Sequence, residues 1–124
     1  MPKILVDACG WIAVIDAGIN IDYAFTGIFG KFEFVVIDSV WDELIMFQEN
    51  NNSRNILLTL LKKRSLDFNN EKLKNKHTDD DLLYLSKEYD WPVLTVDKKL
   101  KERLHESNCK VIQVVGGKKI ELIS

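Results

Sequence analysis

Carboxylates carry the chemistry that can be read from this chain. Asp7 ends the run Lys3-Ile4-Leu5-Val6, and Asp97 ends the run from Trp91 to Val96. Asp79, Asp80 and Asp81 follow Thr78, and Glu43 lies shortly after Asp38-Ser39. Brought together, such acids repel and raise one another's pKa. A divalent cation removes that repulsion. Oxygen donors without His or Cys favour Mg²⁺ or Mn²⁺ over zinc. Mg²⁺ keeps several waters and typically works beside phosphate. One or two such ions can activate a water and steady the leaving oxygen of a phosphodiester. Cations to meet the phosphates follow Asp97 as Lys98, Lys99, Lys101 and Arg103, and return as Lys118 and Lys119.

The elements that must position these acids alternate. Ile4-Leu5-Val6 is uninterrupted and apolar, as a strand buried on both faces must be. Ala8-Cys9-Gly10 reads as a turn and Trp11–Ile15 as a short helix. Ile21, Ala24, Phe25, Ile28 and Phe29 repeat at helical spacing, closed by Gly30. Phe32–Ile37 is a second strand. A helix starts at Asp38-Ser39 and buries Val40, Trp41, Leu44, Ile45 and Phe47. Ser53 is the expected N-cap of the next helix, with Ile56, Leu57, Leu60 and Leu61, ending at Lys62-Lys63-Arg64. Residues 65–76 form a lysine-rich connection, in which Leu66 and Phe68 suit a short edge strand. Thr78 starts a helix with Asp81 at capping-box distance, and Leu82, Leu85, Ser86 and Tyr89 line its inner face. Trp91–Val96 is a strand, Leu100 and Leu104 mark a helix, and Val111–Val115 and Lys119–Ile123 are strands separated by Gly116-Gly117. The alternation predicts a three-layer α/β/α fold on a mostly parallel sheet of about five strands. Ligands of such sheets bind beyond the carboxyl ends of the strands.

Composition sets the outer bounds. The chain has 124 residues, 17 basic against 19 acidic, a net charge of −2, and is 46% hydrophobic. That suits one domain over residues 1–124 with an ample core. The acidic balance argues against holding nucleic acid by bulk charge alone. No apolar run reaches the ~18–20 residues of a membrane span. An acid at Asp7 argues against a signal peptide, and two lone thiols, Cys9 and Cys109, predict a cytoplasmic protein.

Four stretches, in order along nearly the whole chain, resemble the PIN domain family of metal-dependent ribonucleases. That family includes VapC-type toxins and ribosomal RNA processing factors. The stretches are Ile4-Leu5-Val6-Asp7, Val40-Trp41-Asp42-Glu43-Leu44, Thr78-Asp79-Asp80-Asp81-Leu82-Leu83 and Val93-Leu94-Thr95-Val96-Asp97-Lys98-Lys99-Leu100. The resemblance implies Mg²⁺ or Mn²⁺ and cleavage of single-stranded RNA to leave a 5′-phosphate. It assigns Asp7, Glu43 and Asp97 as catalytic acids and metal ligands. For the third acid it offers Asp79, in line with Leu82 and Ser86 on the inner face, or Asp80. Asp81 suits a capping role. Some relatives carry a small polar residue just after the first acid, where this chain has Ala8-Cys9. Thr95 is either an ordinary strand residue or a hydroxyl orienting a ligand water. Lys98, Lys99 and Lys118 are the expected RNA phosphate contacts. Family habit adds two partners: a homodimer through residues 11–29 and 53–61, and for a toxin-type member an antitoxin protein.

Each residue also has a plainer role. Asp7 can simply end a strand, Asp97 can cap a helix, and acids at 79–81 suit a helix dipole without any metal. A lone Glu43 on an amphipathic helix is ordinarily solvated. Cys9, with no nearby His to activate it, reads as a small buried residue. His77 and His105 read as surface residues. Two rival parallel folds lack their motif here. A receiver-like phosphoacceptor needs an acidic pair after strand one, and a haloacid-dehalogenase-type phosphatase needs Asp-x-Asp where this chain has Asp7-Ala8-Cys9. The remaining alternative is a catalytically silent PIN-fold scaffold binding RNA or protein.

Overall fold

A computed structural model describes residues 1–52, 55–66, 68 and 77–124. In chain order its elements are β1 (Lys3–Val6), α1 (Ala8–Asp16), α2 (Ile21–Phe29), β2 (Glu33–Val35), α3 (Asp38–Asn50), α4 (Leu58–Arg64), β3 (Ser65–Leu66), α5 (Thr78–Tyr89), β4 (Val93–Leu94), α6 (Lys98–Glu106), β5 (Val111–Val115) and β6 (Lys119–Ile123). They build one six-stranded sheet ordered β3-β2-β1-β4-β5-β6. Every pairing is parallel except β5 with β6, which turn back on each other. The Gly116-Gly117 turn between them holds both glycines at positive φ, which costs glycine little.

The central strand explains the unbroken apolar run at the start of the chain. β1 lies between β2 and β4, and Ile4, Leu5 and Val6 are fully buried. From β1 the chain moves outward through β2 to β3. It then crosses back to β4 on the other side of β1. Right-handed crossovers therefore put α1–α4 on one face and α5 with α6 on the other. The contacts of α1 with α3 and of α5 with α6 agree. The reversal also creates a crevice at the carboxyl ends of β1 and β4, where such sheets bind ligands.

Packing on the first face is aromatic. Phe34 meets Trp11 and Phe25 edge-on, with centroids 5.7 and 5.1 Å apart. Such pairs contribute about 0.5–1.5 kcal/mol beyond area burial. Trp11 is wholly buried, so its indole N–H needs an acceptor. It donates to the Ile56 carbonyl at 2.7 Å, pinning the segment before α4 to α1.

Several boundaries depart from expectation. Helix α1 begins at Ala8, so Ala8-Cys9-Gly10 is its first turn rather than a separate turn. A Cβ on Gly10 would sit 2.3 Å from the Leu94 carbonyl oxygen, so glycine is there for close helix–strand approach. Strands β2 and β4 are shorter than the apolar runs that contain them. The edge strand β3 comprises Ser65 and Leu66, with Phe68 beyond it. The Ser53 cap lies outside the described residues; α4 is preceded by Leu57 in left-handed geometry, φ 53°. Among the described residues no single helix is long and apolar enough to cross a membrane.

Candidate functional site

The crevice between β1 and β4 is organised around Asp7. Its position follows from β1 ending where α1 begins, which makes Asp7 the N-cap of α1. Its Oδ1 accepts from the Ala8 N–H at 2.9 Å. Its Oδ2 accepts from the Thr95 hydroxyl at 2.8 Å and from the Cys9 thiol at 3.2 Å. The carboxylate is nearly buried, so these donors replace the water it loses. Thr95 is fully buried, and its Oγ1 also accepts the Asp97 N–H at 3.1 Å. One hydroxyl thus ties the first acid to the backbone of the last. Asp97 is exposed and caps α6, its Oδ1 accepting from Leu100 N–H at 2.9 Å. The capping role and a ligand role are compatible, because Oδ2 is left over.

Glu43 and Asp79 arrive from α3 and α5. The Thr78 hydroxyl donates to Glu43 Oε1 at 3.1 Å. The expected capping box is therefore not how Thr78 is used. Its hydroxyl turns across to α3, and the cap position of α5 is His77, which makes no side-chain cap bond. Partial burial pushes the Glu43 carboxyl above its ordinary range, and the charges of Asp7 and Asp79 push it further, against the Thr78 hydrogen bond. Burial likewise raises the Asp79 carboxyl first. Asp7, Asp97 and Asp80 add to it, and Arg103 opposes them. The charges of Asp7 and Asp79 thus reach Glu43, and those of Asp7 and Asp97 reach Asp79. Glu43, His77, Thr78, Asp79, Asp80 and Arg103 line a cleft of about 450 Å³.

The other nominated residues are distributed differently. Asp80 turns to Arg103, with 2.7 Å between guanidinium and carboxylate. Asp81 is buried. Lys98 lines a separate groove with Lys101 and Gln113, and Lys118 lines another beside α2. Lys99 is exposed in the first turn of α6. Of the apolar residues expected at a partner surface, Trp11, Val14, Ile21, Phe25 and Leu61 are buried, whereas Tyr23, Ile28 and Leu57 are exposed.

Three contributors escaped sequence reasoning. Cys9 is half-buried rather than buried and bonds to Asp7; its place two residues after the first acid was the available signal. Thr78 carries a capping pattern, and only the approach of the start of α5 to α3 at the carboxyl edge of the sheet reveals its bond to Glu43. His77, read as a surface residue, is exposed but lines the acid cleft. Ser39, one turn before Glu43, has a buried hydroxyl with no hydrogen-bond partner among the described residues.

The donor set suits a hard cation. Carboxylates dominate it, and the neighbouring Cys9 thiol is held protonated by burial and by the Asp7 charge. Among the described residues no three His, Cys, Asp or Glu stand close enough together to hold one ion between them. A closed cage is not what Mg²⁺ requires, since it binds through one or two carboxylates and retains water.

Comparisons with known proteins agree with this architecture. A family model described as PIN like domain matches residues 4–116. Among solved structures, the PIN domain endonuclease Utp24 superposes with a TM-score of 0.72 at 16% identity, covering 97% of this chain and 90% of that one. A comparison with curated proteins finds no match.

Proposed function

The chain belongs to the PIN-like domain family, and from that premise we propose that it is a divalent-metal-dependent endoribonuclease acting on single-stranded RNA. The observation that carries this reading is convergence. Acids from four separate stretches, Asp7, Glu43, Asp79 and Asp97, stand at the carboxyl edge, where Glu43 feels the charge of Asp7 and Asp79, and Asp79 that of Asp7 and Asp97. A fold gains nothing in stability from gathering like charges, so the arrangement points to a bound cation. The endonuclease activity named for the structural neighbour supports the same reading.

In this proposal Asp7, Glu43, Asp79 and Asp97 would hold one or two Mg²⁺ or Mn²⁺ ions, each through one or two carboxylates and the waters it retains. When bound, the ion supplies an activated water and neutralises charge developing on the phosphate. The chain's own residues do the rest. Thr95 and the Ala8 N–H fix the Asp7 carboxylate. Thr78 occupies Glu43 Oε1 and would leave Oε2 to face the ion. Cleavage then leaves a 5′-phosphate. A toxin acting with its antitoxin and an RNA-processing enzyme would use the same acids.

Calorimetric titration with Mn²⁺ tests the metal site without relying on turnover. The wild-type chain should bind, and Asp7→Asn should lose at least about tenfold in affinity, the lower end of what even a ligand's outer partner contributes. Absence of Mn²⁺ binding by the wild type would favour the scaffold alternative.

A further inference from the structure

We infer that Arg103 takes the RNA backbone phosphate adjacent to the cleaved one, and that Asp80 is its anchor rather than a metal ligand. The inference rests on the ribonuclease reading and specifies how that site holds its substrate.

The acid cleft needs a cation. RNA approaching Glu43 and Asp79 brings negative charge towards negative charge, and a bound metal offsets it only at the phosphate it touches. Among the described residues lining this cleft, Arg103 is the one side chain with a permanent positive charge. Lys98 and Lys101 border a different groove, where Lys101 donates to Gln113 at 3.3 Å. Arg103 also opposes the raised Asp79 carboxyl, which puts its guanidinium within electrostatic reach of the acids.

Its geometry suits phosphate. Leu100 and Leu104 anchor α6 in the core, leaving Arg103 to face α5. One terminal nitrogen donates to Asp80 Oδ1 at 2.7 Å, and the side chain remains 41% exposed. A guanidinium has five N–H donors in a planar fork. Tethering one edge orients the others and reduces the entropy lost when phosphate binds. The same bond uses an oxygen of Asp80 and turns it towards Arg103. Asp79, with no such cation bonded to it among the described residues, is left as the third acid of the cluster.

The test combines two measurements on the full chain. Binding of a short fluorescein-labelled single-stranded RNA is followed by anisotropy in Ca²⁺ over a range of salt. Mn²⁺ binding is followed by calorimetry. Arg103→Ala should weaken RNA binding about tenfold, the scale of one charge-assisted contact. Its salt slope should fall by about 0.7, as for one lost phosphate on a single strand. Arg103→Ala should bind Mn²⁺ at least as tightly as wild type, because a positive charge beside the acids is gone, and Asp80→Asn should still bind it. Arg103→Lys should keep the salt slope and recover part of the affinity, because charge is retained and the fork is lost. RNA binding by Arg103→Ala equal to wild type would overturn the inference while leaving the ribonuclease reading intact. Loss of Mn²⁺ by Asp80→Asn would make Asp80 a ligand and overturn its anchoring role. A wild type that binds neither RNA nor Mn²⁺ would overturn both readings.

Discussion

The Thr95 hydroxyl donates to the Asp7 carboxylate at 2.8 Å, joining residues 88 positions apart in the chain. The same oxygen accepts the Asp97 N–H. Thr95→Val keeps the shape and removes both bonds. It should cost about 1–3 kcal/mol of stability by leaving buried partners unsatisfied. It should also weaken Mn²⁺ binding about 10–100-fold, as loss of an outer partner of a ligand does. Thr95→Ser should retain most of both properties. Thermal melts and Mn²⁺ calorimetry on the pair check this, and a Val variant matching wild type in both would remove Thr95 from the site.

Gly10 controls how closely α1 approaches β4. An alanine Cβ would meet the Leu94 carbonyl carbon at 2.6 Å and the Thr95 Cα at 2.9 Å, and neither is a side chain that can swing away. Gly10→Ala should therefore destabilise by about 2–3 kcal/mol through overpacking. In a domain of this size that lowers Tm by roughly 6–15 °C. A melt within about 2 °C of wild type would contradict the close approach.

The pH response follows from Glu43 and Asp79. Both bind their protons more tightly in the folded chain than in the unfolded one. Metal-free stability should therefore fall as pH rises from the ordinary carboxylate range through their raised values. Mn²⁺ competes with those protons, so the rise in Tm it produces should grow across the same interval. Asp79→Asn removes a charge from the cluster and should raise metal-free Tm by roughly 1–4 °C, the scale of a half-exposed charge interaction. The same variant should lose the Mn²⁺-induced rise. A lowered metal-free Tm would mean that Asp79 supports the fold rather than straining it.

What the sequence could reveal divides along a physical line. Features set by local pattern were legible. The apolar run before Asp7 marked a central strand, and the spacing from Ile21 to Phe29 with Gly30 beyond it marked α2. Asp97 as a cap was legible for the same reason. Features set by tertiary approach were not. Gly10 suggested a turn because glycine is a poor helix former, yet it sits in α1 where β4 leaves no room for a Cβ. Thr78 carried a capping pattern, but a hydroxyl chooses its acceptor by distance, and Glu43 on another helix lies within reach. The sequence favours Asp79 over Asp80 through its alignment with Leu82 and Ser86, but the pairing of Asp80 with Arg103, packed across from α5, could not be read from it.

The acids around Asp7 are proposed to form a metal-dependent ribonuclease site. The most direct measurement is cleavage of end-labelled single-stranded RNA with Mn²⁺, beside an EDTA lane and the Asp97→Asn variant. The wild type should cleave to leave 5′-phosphate ends, and cleavage should be abolished by EDTA and reduced at least about 100-fold by Asp97→Asn, the scale of losing one electrostatic contributor at a reacting centre. Cleavage that survives EDTA, or that Asp97→Asn leaves intact, would contradict that proposal.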